Sequence, residues 1–247
     1  MRRSHGQSIR LLQQSTQRTS MNVTRYKATL WLSQHWLLVF NIFFFTYAAL
    51  PILAPILLAY GYINIASIIY RAYGYTCHQL PSHSFFIAGQ QIAICQRCTA
   101  IYSVMALTGL AYTAIHFLRL PPLSFQWFLL FLIPMGVDGG MAFVSELTVV
   151  LPFWPLWVIG LMLIVLIGWF MRSQRAAMWQ VYLFLAAGPL SLLYVQWFGP
   201  HQSSWLLRVI TGSIYGVGSI WLIYPMLEDS FRDLRDQTQR RLAQMHV

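Results

Sequence analysis

The 247-residue chain is 57% hydrophobic and only 9% charged, with 16% aromatic residues. A soluble domain carries about 25% charged residues, so this composition excludes that class: the solvent of the protein is lipid. A net charge of +10 would suggest nucleic acid in a soluble chain, but here the cations cluster at the two ends, where they set orientation and meet anionic lipid. Nucleic acid is therefore excluded as a partner.

Residues 1–30 are polar and basic, rich in Ser, Gln and Arg, and hold no acid. They read as a disordered cytoplasmic tail with at most a short amphipathic helix on the membrane, or alternatively as an Arg/Ser-rich transit peptide. Apolar stretches of roughly 20 residues, enough to cross a hydrocarbon core about 30 Å thick, follow at 35–60, 98–118, 124–145, 154–171, 178–198 and 205–227. Trp31, Trp36, Trp154, Trp157, Trp179, Trp197 and Trp205 lie near their ends, as aromatic belts do. Pro51 and Pro55 kink or end the first span. Residues 228–247 form a charged cytoplasmic tail that reads as a solvated helix, with Glu228, Asp229, Asp233 and Asp236 among arginines. The expected fold is all-α: a polytopic transmembrane helical bundle of about six spans over residues 31–227, in the cell membrane, with an extracytoplasmic Cys/His loop.

Orientation follows from the cations. With both termini cytoplasmic, thirteen basic residues fall inside, Arg119, Arg172 and Arg175 among them, and only Arg71, Arg97 and Arg208 fall outside. A seventh span at 56–72 would separate the two basic ends and is disfavoured by the same rule.

All three cysteines fall within 22 residues: Cys77-His78-Gln79-Leu80-Pro81-Ser82-His83, then Cys95-Gln96-Arg97-Cys98-Thr99. A Cys-x-x-Cys turn lets two sulfurs face one ion, and zinc takes four N or S ligands in a tetrahedron. Cys77, Cys95 and Cys98 with His78 or His83 complete such a set for zinc or another transition metal; adjacent residues point apart, which disfavours Cys77 and His78 together. A loop of this kind is expected to have few apolar contacts of its own, so that a metal would order it. Two other readings stay open. Cys95 and Cys98 also describe a redox pair opening a helix, with Arg97 favouring the thiolate, and an outer compartment permits a plain disulfide.

The segments Cys77-His78-Gln79, Ser84-Phe85-Phe86-Ile87 and Cys95-Gln96-Arg97-Cys98-Thr99-Ala100-Ile101-Tyr102 resemble those of the domain-of-unknown-function family 2085, small microbial membrane proteins with a CHQ-x-P-x-RSF segment and a CxRCTGIY segment. His83 stands where members commonly have Arg, and Ala100 where they have Gly. Asp138-Gly139 and Arg208-Val209-Ile210-Thr211-Gly212 are weaker echoes. The resemblance implies a helical membrane fold and no assigned activity.

A carboxylate in hydrocarbon is costly and usually paired. Asp138 lies about 12 Å below the outer surface and Arg208 about 6 Å below it, at roughly 1.5 Å per residue, so the two are expected to form an intramembrane pair. Gly212 and Gly216 suit close helix packing, and His201 either joins the thiol site or does nothing. No phosphate loop, dinucleotide fingerprint or HExxH occurs, so the motifs leave open whether the protein is an enzyme. Three functions remain: a metal-binding membrane protein serving other membrane subunits as an accessory or assembly factor, a thiol–disulfide oxidoreductase coupled to quinone, or a small transporter using Asp138. Three cysteines fall short of the four a two-disulfide relay needs, and few buried acids accompany Asp138, which leaves the first ahead. Reporters fused at residues 1 and 247 should both report cytoplasm, and one inserted at Gly89 should report the outside; opposite locations for the two ends would sink the six-span topology.

Overall fold

The computed structural model describes residues 2–173 and 179–245; Met1, Arg175 and Val247 lie outside the described residues. It is an all-α membrane bundle with one small hairpin. The elements run α1 (Arg2–Ala59), α2 (Ile63–Gly74), a 3₁₀ turn (Pro81–His83), β1 (Ser84–Ile87), β2 (Gln90–Cys95), α3 (Gln96–Ile115), α4 (Phe125–Val150), α5 (Phe153–Ser173), α6 (Trp179–Phe198) and α7 (Trp205–Met245). A helix covers each apolar stretch read from the sequence. Thr24–Ala59, Gln96–Leu118, Phe125–Val149 and Trp205–Gln244 are long and apolar enough to cross a membrane, and Phe153–Leu166 and Leu185–Phe198 are shorter apolar helices.

Two expectations are corrected, for the N-terminal segment and for the Cys/His loop. The polar N-terminal segment belongs to α1, which starts at Arg2; no proline stands before Pro51 to stop it. Pro51 and Pro55 are accommodated inside that helix, which runs one turn further to Ala59. Residues 63–74, between the first two spans, form α2, whose 12 residues reach only about 18 Å, too short to cross. The Cys/His loop, finally, is not poor in apolar contacts. Ile92, Ala93, Ile94 and Cys95 of β2 are buried together with Ala54 of α1 and Ile69, Tyr73 and Cys77 at α2.

The hairpin is set by its turn. Ile87 pairs with Gln90, leaving Ala88 and Gly89 as a two-residue loop in which both have positive φ, 51° and 74°. That is the backbone of the turn whose twist matches the right-handed twist of paired strands. An irregularity follows between Ser84 and Phe86, after which Ser84 pairs with Cys95. The hairpin is stitched to α2 by Gln79, whose Nε2 donates to the carbonyls of Tyr70 (2.7 Å) and Ala93 (2.8 Å). Gln91 Nε2 in turn donates to the Gln79 carbonyl at 2.6 Å.

The chain separates into two compact units. Residues 41–225 hold the hairpin and most of the bundle; residues 1–40 and 226–247 form the other. In the latter, Trp36 stacks on Phe231 with centroids 5.5 Å apart, and Arg235 donates to the Ser33 carbonyl at 2.8 Å. Arg232 meets Glu228 at 3.4 Å and Asp229 at 3.8 Å along one helix face, the pairing expected of a solvated tail.

Within the larger unit α7 packs against α3 at backbone distance. A Cβ added at Gly212 would lie 2.8 Å from the Arg97 carbonyl oxygen, and one at Gly216 would lie 2.9 Å from that of Ile101. Small residues in this spacing let two membrane helices touch. Deeper in, Tyr224 donates to Asn41 Oδ1 at 2.8 Å and Asn41 donates to Thr113 Oγ1 at 2.7 Å, so these polar groups are satisfied within protein. Gly212→Val should force α3 and α7 apart and lower stability by about 1–3 kcal/mol, the usual range for overpacking. Gly188→Ala, where an added Cβ meets nothing within 4 Å, is the control. Thermal unfolding of the two variants in detergent checks this, and equal behaviour would remove the close-packing argument.

Candidate metal centre

Three chain segments deliver the three thiols. Cys77 follows the end of α2, where its amide donates to the Tyr73 carbonyl at 2.9 Å. Cys95 ends β2 and caps α3, its sulfur accepting from the Cys98 amide at 3.5 Å. Cys98 is in the first turn of α3. Hairpin pairing returns the chain to its start, so Cys95 arrives beside Cys77, and the Cys95 amide donates to Cys77 Sγ at 3.1 Å. All three are free thiols, and their sulfur atoms lie within 4.8 Å of one another. Cys77 and Cys95 are buried and Cys98 half-buried.

The thiols share protons. Hydrogen bonds from the Cys95 thiol and then the Cys98 thiol hold Cys77 well below the usual thiol range. The same bond, seen from the donor, raises Cys95, and burial adds to the rise. This network favours the thiolate at Cys77, the form that binds metal and attacks electrophiles.

Neither histidine belongs to the three-sulfur group. His78 and His83 face each other edge to face, ring centroids 5.9 Å apart, and both line a cavity of about 410 Å³ onto which Cys95 and Cys98 also open. His83 is lowered from the ordinary imidazole value, first by burial and then by the charge of Arg208, which favours the neutral ring that ligates metals.

The expected Asp138–Arg208 pair is replaced by another. Asp138, 2% exposed, forms its ion pair with Arg97 Nη2. It also accepts from Ser203 Oγ at 2.7 Å, and His201 Nε2 lies 3.2 Å from its other oxygen. The reason is room. Gly139 leaves space for the Arg97 guanidinium, since a Cβ there would stand 2.8 Å from Arg97 Nη1. Arg208 instead donates to Gln96 Oε1 at 3.0 Å and to the Ser82 carbonyl at 3.5 Å. His201 sits on Asp138 rather than at the thiols, its amide donating to Ser145 Oγ at 2.7 Å.

Gln79, Gln96 and Ser203 carry this site without having been expected. Gln79 and Gln96 flank the cysteines in both motif segments, and that adjacency was the available signal. Ser203 gave none.

Removing one partner of a buried pair leaves an uncompensated charge, at a cost of about 3–5 kcal/mol. Arg97→Leu should therefore destabilise by that order, because Asp138 is left with only Ser203 and His201. The double change Arg97→Leu with Asp138→Leu should be milder, whereas Arg208→Leu with Asp138→Leu should show no such rescue. Chemical unfolding of the three variants checks the pairing, and rescue by the Arg208 combination would overturn it.

Residues 77–151 match the family described as Predicted membrane protein (DUF2085). The Uncharacterized protein MJ1492 of Methanocaldococcus jannaschii is 40% identical over 76 residues, which is 30% of this chain and 49% of that protein. The chain thus spans about half the length of the curated relative it matches. No solved structure matches. The match runs from the first cysteine segment through Asp138 to the end of α4, and over that stretch the chain is similar to this family of membrane proteins.

Proposed function

We propose that this multi-pass protein of the cell membrane holds one zinc-like ion on its extracytoplasmic side, and acts as an accessory or assembly subunit for other membrane proteins. The observation that carries the reading is the convergence of three free thiols, with sulfurs within 4.8 Å of one another. Zinc–sulfur bonds of about 2.3 Å put tetrahedral ligand sulfurs roughly 3.8 Å apart, so small side-chain shifts suffice. Amide-to-sulfur bonds from Cys95 and Cys98 are the outer-shell contacts that orient thiolate ligands. The fourth coordination position would open on the cavity, where His83 or His78 is the protein ligand at hand. In this reading the ion locks the end of α2 to the start of α3, with residues 1–30 and 228–247 on the cytoplasmic side of a transmembrane domain at 31–227.

A redox reading has one observation in its favour: Cys95 caps the helix whose first turn holds Cys98, an arrangement that favours a reactive thiolate. Protein purified without oxygen separates the two. Stoichiometric metal is expected, with thiols open to alkylation only after chelation and occupancy reduced in each of Cys77→Ser, Cys95→Ser and Cys98→Ser. Ligand thiols must be deprotonated, so occupancy should fall as pH is lowered. His83→Ala should weaken binding if its ring completes the site, and His78→Ala if the other does. Metal-free protein in which Cys95 and Cys98 form a reversible disulfide indifferent to Cys77→Ser would replace the metal reading with the redox one.

A further inference from the structure

Arg208 is 8% exposed, yet among the described residues no carboxylate lies within ion-pair distance of it. Its hydrogen bonds go to neutral acceptors, Gln96 Oε1 and the Ser82 carbonyl. A buried, unpaired guanidinium is costly, and Arg keeps its charge at any pH a protein meets. Two adjoining cavities, of about 410 and 560 Å³, share Arg208 in their walls together with His83, Ser203 and Glu146. Glu146 is exposed and makes no ion pair with Arg208, whereas Arg208 lies inside. Asp138 is already held by Arg97, Ser203 and His201. Arg208 stands in the first turn of the 41-residue α7 and Arg97 in that of the 20-residue α3, so the positive ends of two long helices meet at the first cavity. Arg97 adds a buried Nε without a hydrogen-bond partner. Fixed positive charge, helix N-termini and a half-buried imidazole are the donor set that holds oxyanions.

We propose that this cavity binds a phosphate-class oxyanion, with Arg208 as its principal ligand and His83 as a second donor. The group would be either free phosphate or the phosphate of a lipid headgroup entering from the outer leaflet. The proposal does not rest on the metal reading; the thiol cluster is the rival counter-charge for Arg208, and the test separates the two.

The test uses full-length protein in nanodiscs, with metal content measured on every sample so that failure of the metal site is seen separately. In discs of digalactosyldiacylglycerol, whose headgroup carries no phosphate, inorganic phosphate should raise the melting temperature saturably, beyond the effect of sodium chloride at equal ionic strength. That result assigns a free anion. A rise that appears only when phosphatidylglycerol is incorporated assigns a lipid headgroup. In either case Arg208→Gln should weaken the response at least about tenfold, the loss of one charge-assisted contact. Arg208→Lys keeps the charge without the two-pronged donor and serves if the glutamine variant does not fold; it should respond more weakly than wild type. His83→Ala should give an intermediate loss. Stabilisation by neither phosphate nor phosphatidylglycerol, or an equal response in folded Arg208 variants, overturns the proposal and leaves the thiol cluster as the charge that balances Arg208.

Discussion

The ion pair between Arg97 and Asp138 is the constraint on which the hairpin end of the bundle depends. Hydrocarbon offers a carboxylate nothing to bond with, so Asp138 has to be met by protein donors wherever α4 places it. Arg97 is the residue between Cys95-Gln96 and Cys98, so satisfying Asp138 also fixes the first turn of α3 and two of the three sulfurs. Gly139 makes the contact possible because any side chain there would occupy the guanidinium's place. Gly212 then lets α7 lie against the Arg97 carbonyl, which brings Arg208 to the other side of the same turn. Thiols, carboxylate and second arginine are therefore positioned by one short stretch of α3, and the chemistry of each bears on the others.

Hydropathy located every long helix, because twenty apolar residues in a row have few other uses. Cysteine spacing located the thiols for a similar reason: three of three within 22 residues is hard to place anywhere but together. The hairpin was less visible. Its buried strand is the short run Gln90–Cys95, which periodicity alone does not separate from a piece of helix, and Ala88-Gly89 lacks the Asn-Gly or Asp-Gly signature of such turns. Depth along a span does not choose between Arg97 and Arg208 as the partner of Asp138, since both stand in the first turns of their helices. Rotation of α3 and α7 about their axes chooses, and that is a packing outcome. Gln79 and Gln96 illustrate a wider limit, since uncharged amides leave no mark in composition yet make the bonds that hold the hairpin and Arg208.

The molecule also divides its polarity sharply. Along α5, Leu161, Met162, Leu163, Val165, Leu166 and Trp169 are all exposed, a surface made for acyl chains. A few helices away, arginines, histidines and thiols line cavities beside the hairpin. A lipid-facing exterior around a wet, charged interior is the arrangement in which ionisable groups persist inside a membrane.

The order of these contacts along the chain has a consequence for synthesis. Arg97 and Asp138 are 41 residues apart and both lie within residues 77–151, so hairpin, α3 and α4 can close the ion pair while α5 to α7 are still unmade. A chain emerging from its N-terminus thereby neutralises its one deep carboxylate early. Ser203, His201 and Arg208 arrive only with the last helix, completing the cavity walls at the end. In chain order, the contacts that settle α3 against α4 come before those that finish the cavity.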